Sequence, residues 1–280
     1  MMLNKQTQNE LINRGRAFMR GYRDDDPYME DFESDQDLKL PQPPLVKAPM
    51  TADDHRIVLT KDFSELPMLH NLPQLLNSRR SARIYTQENM TLTQLSFLLW
   101  ACQGIKSIRG KSYATLRTVP SGGARHPFET YLMVRKVEGL KPGAYHYLPM
   151  EHALEFLHDV DEMDTQISDS LCGQSWAAKA NVVFYWSMVP YRAEWRYGIY
   201  AHRVALMDAG HMGENLYLAC TGIGLGCCAI GAFRDELCNQ LFSLNGEDEF
   251  MLYVVPVGTV RSCDKADEQA FYKFVEDEGL

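Results

Sequence analysis

No apolar run in the 280-residue chain is long. The longest, Val182 to Trp186 and Met251 to Val257, are strand-sized, whereas a helical bilayer span needs about 20 apolar residues. The N-terminal stretch M-M-L-N-K-Q-T-Q-N-E-L-I-N-R has no apolar export core, so a cytoplasmic location without membrane partners is expected. There is no C-x-x-C pair and no Cys/His set at zinc spacing, and no metal site is expected. The seven cysteines, an odd number, read as reduced thiols. Vicinal Cys227-Cys228 reads as two buried fillers beside Gly226. No long basic block is present, which disfavours nucleic acid as a partner. G-x-S-x-G, H-E-x-x-H and Walker A strings are all missing, leaving hydrolase and metalloprotease readings unsupported.

What is present is an acidic chain with a capacity for a large core. It has 28 basic and 37 acidic residues, a formal net charge of −9 and 45% hydrophobic residues. Eight of the acids lie between Asp24 and Asp37 with no base among them, and L-P-Q-P-P-L-V-K-A-P follows. Self-repulsion and proline stiffness predict an extended acidic, proline-rich arm over residues 1–55 and one globular domain over 56–280.

Within that domain Leu72–Ser78 reads as a short helix. Thr91-Leu-Thr-Gln94 fits a capping box opening a helix that Gly104 stops. Strands are predicted over 128–137, 181–188 and 251–257, and a hairpin around Pro149-Met150. Residues 202–220 carry the longest helical pattern, on which Ala209, Gly210 and Gly213 form a narrow face.

Three clusters can carry chemistry. Arg79-Arg80-Ser81-Ala82-Arg83 concentrates guanidiniums and a hydroxyl suited to a phosphate; a solvated basic turn is the plain alternative. Thr118-Val-Pro-Ser-Gly-Gly-Ala-Arg-His-Pro127 brackets a Gly-Gly pair between prolines, where backbone can approach a flat ligand. Gly222-Ile-Gly-Leu-Gly226 follows a helix, unlike a dinucleotide glycine loop, and reads as a cap and turn.

In this order and spacing the clusters resemble the nitroreductase superfamily of FMN enzymes, and within it the SagB-type dehydrogenases. The matching strings are R-R-S-A-R, L-S-F-L-L-W-A-C-Q-G-I (95–105), R-T-V-P-S-G-G-A-R-H-P (117–127), R-Y-G (196–198), D-A-G-H-M-G-E-N-L-Y-L-A (208–219) and G-I-G-L-G. The resemblance spans roughly residues 72 to 258. It implies an α+β fold, a central mostly antiparallel or mixed sheet flanked by helices, in an intertwined homodimer. It implies FMN as cofactor, with Arg79, Arg80, Ser81 and Arg83 at the phosphate, ribityl chain and pyrimidine edge. Pro120, Ser121, Gly122, Gly123 and His126 lie beside the flavin, Ile230 and Gly231 near N5, and Arg261 completes the phosphate site. The implied activity is hydride transfer through N5 between a reductant such as NAD(P)H, or a small-molecule or peptide substrate, and an acceptor. A flavin-modifying relative and a non-catalytic flavin-binding interaction protein are the alternatives on the same scaffold.

SagB-type azoline oxidases carry a Lys-Tyr pair ahead of the long helix, where this chain has Arg196-Tyr197. Arg stays protonated and is a poor base. Tyr197 reads either as an acid/base residue or as core packing.

Overall fold

The computed structural model describes residues 5–20, 32–261 and 265–278. Its centre is a seven-stranded sheet of β1 (Arg56–Val58), β4 (Phe128–Val134), β5 (Gly143–Leu148), β6 (Ala153–His158), β7 (Val182–Met188), β8 (Leu225–Cys227) and β9 (Phe250–Thr259), while β2 (Ile105–Arg109) and β3 (Ala114–Arg117) form a separate ribbon. The order across the sheet is β1-β6-β5-β4-β7-β9-β8, and each pair of strands is antiparallel. This is the expected α+β nitroreductase-like architecture. Strands β4 and β7 are buried along their whole length, which explains their nearly continuous apolar sequence.

Alternation divides each strand between two cores. Leu132, Phe184, Trp186 and Val255 meet α3 (Leu92–Gln103) and α6 (Ala201–Gly222) through Leu95, Leu99, Met212 and Leu216. On the other face Met133, Val183, Tyr185 and Val254 meet α4 (Met163–Ser170) and α7 (Asp235–Leu241) through Ile167, Leu171, Cys238 and Leu241. Helix α3 starts at the expected capping box: Thr91 Oγ1 accepts from Gln94 N–H and Gln94 Oε1 accepts from Thr91 N–H. Helix α2 (Leu72–Ser78) is capped by Asn71.

The second face is only partly covered by helices, and the proline-rich segment covers much of the rest. Lys47 N–H donates to Glu129 (2.7 Å), and Thr51 donates to Glu155 through its N–H and Oγ1, both at 2.8 Å. Further upstream Gln36 N–H donates to the Trp195 carbonyl (2.8 Å) and Trp195 Nε1 to the Leu40 carbonyl (3.1 Å). So residues 35–51 form a strap docked on the domain. The expectation of an extended arm fails over α1 (Lys5–Arg20), which is helical. Lys, Gln, Glu, Leu, Arg, Ala and Met favour helix there, and the chain's first proline is Pro27. The acidic run lies partly outside the described residues. The chain ends with α8 (Lys265–Glu278).

Candidate active site

The arginine segment leaves α2 in extended form and lies beside β8. Ser81 bridges Cys227 in parallel register, and Ala82 N–H donates to the Cys227 carbonyl at 2.8 Å. The approach is close: a Cβ on Gly226 would stand 2.5 Å from Ala82 Cβ. Two strings separated by more than a hundred residues therefore meet.

Tyr217 on α6 joins them. Its hydroxyl lies 3.0 Å from Ser81 Oγ and accepts the Ala229 N–H at 2.9 Å, while the Arg79 guanidinium sits 5.2 Å over its ring. Arg83 lies over Trp176 at 5.9 Å. Arg79, Ser81 and Arg83 are half-buried and Arg80 is exposed. Arg79 makes no ion pair among the described residues. Arg261 is exposed, two residues beyond β9, whose Thr259 carbonyl accepts from Thr86 N–H.

Beyond Ala229 the N–H groups are used unequally. Ile230 is buried and its N–H donates to the Val254 carbonyl at 2.8 Å. Gly231 and Ala232 are exposed, and among the described residues their N–H groups meet no protein acceptor. Nothing lies within 4 Å of a Cβ built on Gly231. Of Ile230 and Gly231, which the resemblance puts near N5, only Gly231 keeps an N–H without a protein acceptor among the described residues, and Ala232 is a second.

The proline-bracketed loop stands apart. Ser121 Oγ donates to Asp208 on α6 at 2.6 Å, and Gly122 N–H donates to the same carboxylate at 3.0 Å. Burial raises the Asp208 carboxyl, and these two donors partly offset it. Gly123, Ala124 and His126 all have positive φ, at 54°, 54° and 45°; two of them are non-glycine residues, a strained arrangement that recurs at functional loops. Pro120 is exposed. His126 lies inside the fold, 5% exposed, and burial lowers its imidazole to about 3. Its imidazole is neutral, and its backbone N–H closes the loop onto Ser121 Oγ.

The Arg196-Tyr197 pair, on α5 (Tyr191–Tyr197), packs on this loop. A Cβ on Gly123 would meet Arg196 Cδ at 2.6 Å and the Tyr197 hydroxyl at 2.8 Å. Arg196 Nη1 donates to Gln36 of the strap (3.0 Å) and to the Tyr113 hydroxyl (2.9 Å). Between Asp208 and Tyr217, α6 rises about 13 Å. Within one chain the arginine segment and the proline-bracketed loop are therefore two separate half-sites on one helix.

Sequence reasoning singled out neither Tyr217 nor Asp208. Both lie within the D-A-G-H-M-G-E-N-L-Y-L-A string, nine residues and so about two and a half turns apart, which puts them on opposite sides of α6; Asp208 is buried and Tyr217 half-buried. A cavity of about 740 Å³ between the strap and residues 243–249 holds none of the expected site residues. No cluster suited to a metal occurs among the described residues, and no described helix is long and apolar enough to cross a membrane.

An antiparallel sheet between two helical layers, with an arginine-serine segment laid against its edge, defines a nitroreductase-type protein. Residues 76–259 match the nitroreductase family, and the chain belongs to that family. It is 34% identical over 187 residues to the nitroreductase-like protein MJ1384 of Methanocaldococcus jannaschii, covering 67% of this chain and 90% of that one. It is 27% identical over 203 residues to the trifolitoxin-processing protein TfxB of Rhizobium leguminosarum bv. trifolii, and 31% over 113 residues to the microcin B17-processing protein McbC of Escherichia coli. These matches span 68% and 39% of this chain, and about half of each relative, 54% of TfxB and 42% of McbC. Among solved structures, a nitroreductase-like protein of Ralstonia eutropha aligns with a TM-score of 0.61 at 27% identity, over 80% of this chain and all of that one. The E. coli McbBCD complex aligns at 0.55 and 20% identity over 90% of this chain and 93% of that one, a likeness of fold.

Proposed function

We propose that this protein is an FMN-dependent oxidoreductase acting as a cytoplasmic homodimer, with NADH or NADPH as reductant and a small molecule as acceptor. The observation that carries the reading is the convergence of Arg79, Ser81 and the Ala229 N–H on Tyr217, with Arg83 two residues beyond Ser81 and the exposed Gly231 two residues beyond Ala229.

The residues fit the cofactor. Arg79 and Arg83, with exposed Arg80 and Arg261, provide cations for a phosphate, and Ser81 provides a hydroxyl. Gly231 adds a surface without a side chain where a flat ring can lie against backbone, and its N–H is available at the ring edge. Bound there, the flavin supplies a hydride acceptor and donor at N5. A cation near the pyrimidine edge favours negative charge on the reduced ring, which is the protein's electrostatic contribution.

The separation of the half-sites favours a dimer, in which Pro120, Ser121, Gly122 and Gly123 of one chain complete the arginine site of the other. Helix α6 offers Leu206 and Met207, 45% and 50% exposed, beside Gly210, where a Cβ would meet nothing within 4 Å. Ala209 and Gly213, expected on the same face, are buried, and Gly213 packs on Tyr253 of its own chain. They turn inward because α6 needs its smallest residues where β9 approaches.

Arg196 is bound to Gln36 and Tyr113, and a guanidinium is a poor base, so proton transfer is assigned to Tyr197. This disfavours azoline oxidation on a peptide, despite the names of TfxB and McbC. A reducing compartment suits the six described cysteines, all free.

The test is the visible spectrum of the purified protein with its chromophore released and identified, followed by turnover with NADH and NADPH. Bound FMN that is reduced by either nucleotide and reoxidised by an acceptor is expected. Protein that is colourless and takes up no added FMN would overturn the reading. Loss of intact flavin during aerobic incubation would favour a flavin-modifying activity, and bound FMN without turnover a non-catalytic role.

A further inference from the structure

We propose that Tyr217 is a positioning residue: its hydroxyl sets Ser81 as a hydrogen-bond donor toward the bound flavin and locks the arginine segment to the backbone that leads to Gly231. The inference rests on the flavin reading above.

The direction of the hydrogen bonds follows from proton counting. A phenol has one proton and two lone pairs. The Tyr217 oxygen accepts the Ala229 N–H at 2.9 Å, which leaves its proton for the neighbouring Ser81 Oγ at 3.0 Å. Of the two hydroxyls the phenol is the stronger acid and the poorer acceptor, because its oxygen lone pair is delocalised into the ring. The Arg79 guanidinium over the ring draws electron density the same way. Burial keeps the phenol protonated: it raises Tyr217, against the lowering effect of Ser81 and Ala229. The chain therefore runs from Ala229 N–H to the Tyr217 oxygen, and from Tyr217 O–H to Ser81 Oγ.

This leaves the Ser81 proton at the end of the chain, where the Cys228 sulfur, which contacts both hydroxyls, is a weak acceptor beside it and a ligand oxygen is the stronger one. Ser81 is half-buried, so its proton can reach an acceptor oxygen on a ligand beside Arg79. Successive hydrogen bonds polarise one another, which makes Ser81 a better donor than an isolated serine. The same phenol fixes the spacing between the arginine segment and the 229–231 backbone, the two edges of the cradle.

The test is a double-mutant cycle on the full-length protein, with FMN affinity read by quenching of its fluorescence. Tyr217→Phe keeps the ring, the Arg79 contact and the fold, and removes one oxygen. Y217F and Ser81→Ala are each expected to weaken FMN binding roughly tenfold, and the double variant no more than S81A alone. The visible band of bound FMN should shift in Y217F as it does in S81A, a change that ring packing alone would not cause. Without flavin, amide exchange at Ala229 should accelerate in Y217F and stay unchanged in S81A. A second route keeps Tyr217 intact: Ser81→Cys, a weaker donor of similar shape, should give an affinity between wild type and S81A.

Unchanged FMN affinity in Y217F, an additive loss of roughly a hundredfold in the double variant, or wild-type affinity in S81C would each overturn the inference. Failure of the wild type to bind FMN would overturn the flavin reading itself and with it the role of Ser81 as a flavin donor. Unaltered Ala229 exchange in Y217F would also overturn the inference, because without that bond the Tyr217 oxygen is free to accept from Ser81.

Discussion

The backbone N–H of Lys47 donates to the buried carboxylate of Glu129 at 2.7 Å, while the Lys47 ammonium reaches Glu249 and the Tyr131 hydroxyl. One strap residue thus ties Glu129 of β4 to Glu249, the residue just before β9. Behind it Glu129 pairs with Arg192 and His146, and His146 with Glu155, all on the sheet face that helices leave uncovered. Lys47→Met should detach the strap at this point. A loss of about 2 kcal/mol is expected, read by denaturant unfolding, with FMN affinity unchanged.

The same network predicts the pH dependence of stability. Burial would raise the Glu155 carboxyl, but His146 and Thr51 outweigh it and hold it down at about 2. Its contribution is complete above the ordinary carboxyl value of 4.5 and is lost as pH falls toward 2. Burial would lower His146, but Glu129 and Glu155 outweigh it and raise the imidazole. That contribution is complete below 6.5 and is lost as pH rises through the raised value. The network should stabilise most between about 4.5 and 6.5, seen as a maximum in Tm, and Glu155→Gln should flatten the acid side.

Arg79→Ala and Arg83→Ala should each weaken FMN retention roughly tenfold, and the double variant more. Dialysis followed by the visible spectrum measures this. Unchanged retention in the double variant would count against the phosphate assignment.

Gly226→Ala tests the close approach of the two strings. The added carbon would stand 2.5 Å from Ala82 Cβ and 2.6 Å from Val260 Cγ1. A stability loss of about 2 kcal/mol is expected, accompanied by weaker FMN binding as the arginine segment is pushed off β8.

Tyr197→Phe should lower the rate of substrate turnover about a hundredfold while leaving FMN affinity and Tm within error. Stopped-flow traces of the two half-reactions would show which step has slowed. A variant that turns over at the wild-type rate would reassign Tyr197 to packing against Gly122 and Gly123.

Much of the fold is legible locally. The Thr91 capping box, the Gly104 stop, the Leu72–Ser78 helix and the hairpin at Pro149 are each set by residues within one turn of one another. Helices α4, α5 and α7, of eight, seven and seven residues, are not visible in this way, because their stability comes from the sheet they cover. The strap is misleading for a related reason. Its prolines and acids describe a solvated chain, and it is the tertiary fold that supplies acceptors for its N–H groups, among them the buried carboxylates of Glu129 and Glu155 and the Trp195 carbonyl.

By itself the sequence determined where arginines cluster, where a backbone can turn at glycine and where a helix stops, because short-range chemistry decides each of these. Tertiary structure decided how those segments divide. It set Ser81 against Cys227 through Tyr217, held the Ser121 loop on Asp208 about 13 Å along the same helix, and turned His126 inward. Such pairings depend on sheet register and on the helix face that meets it, contacts between residues distant in the chain that no local pattern encodes.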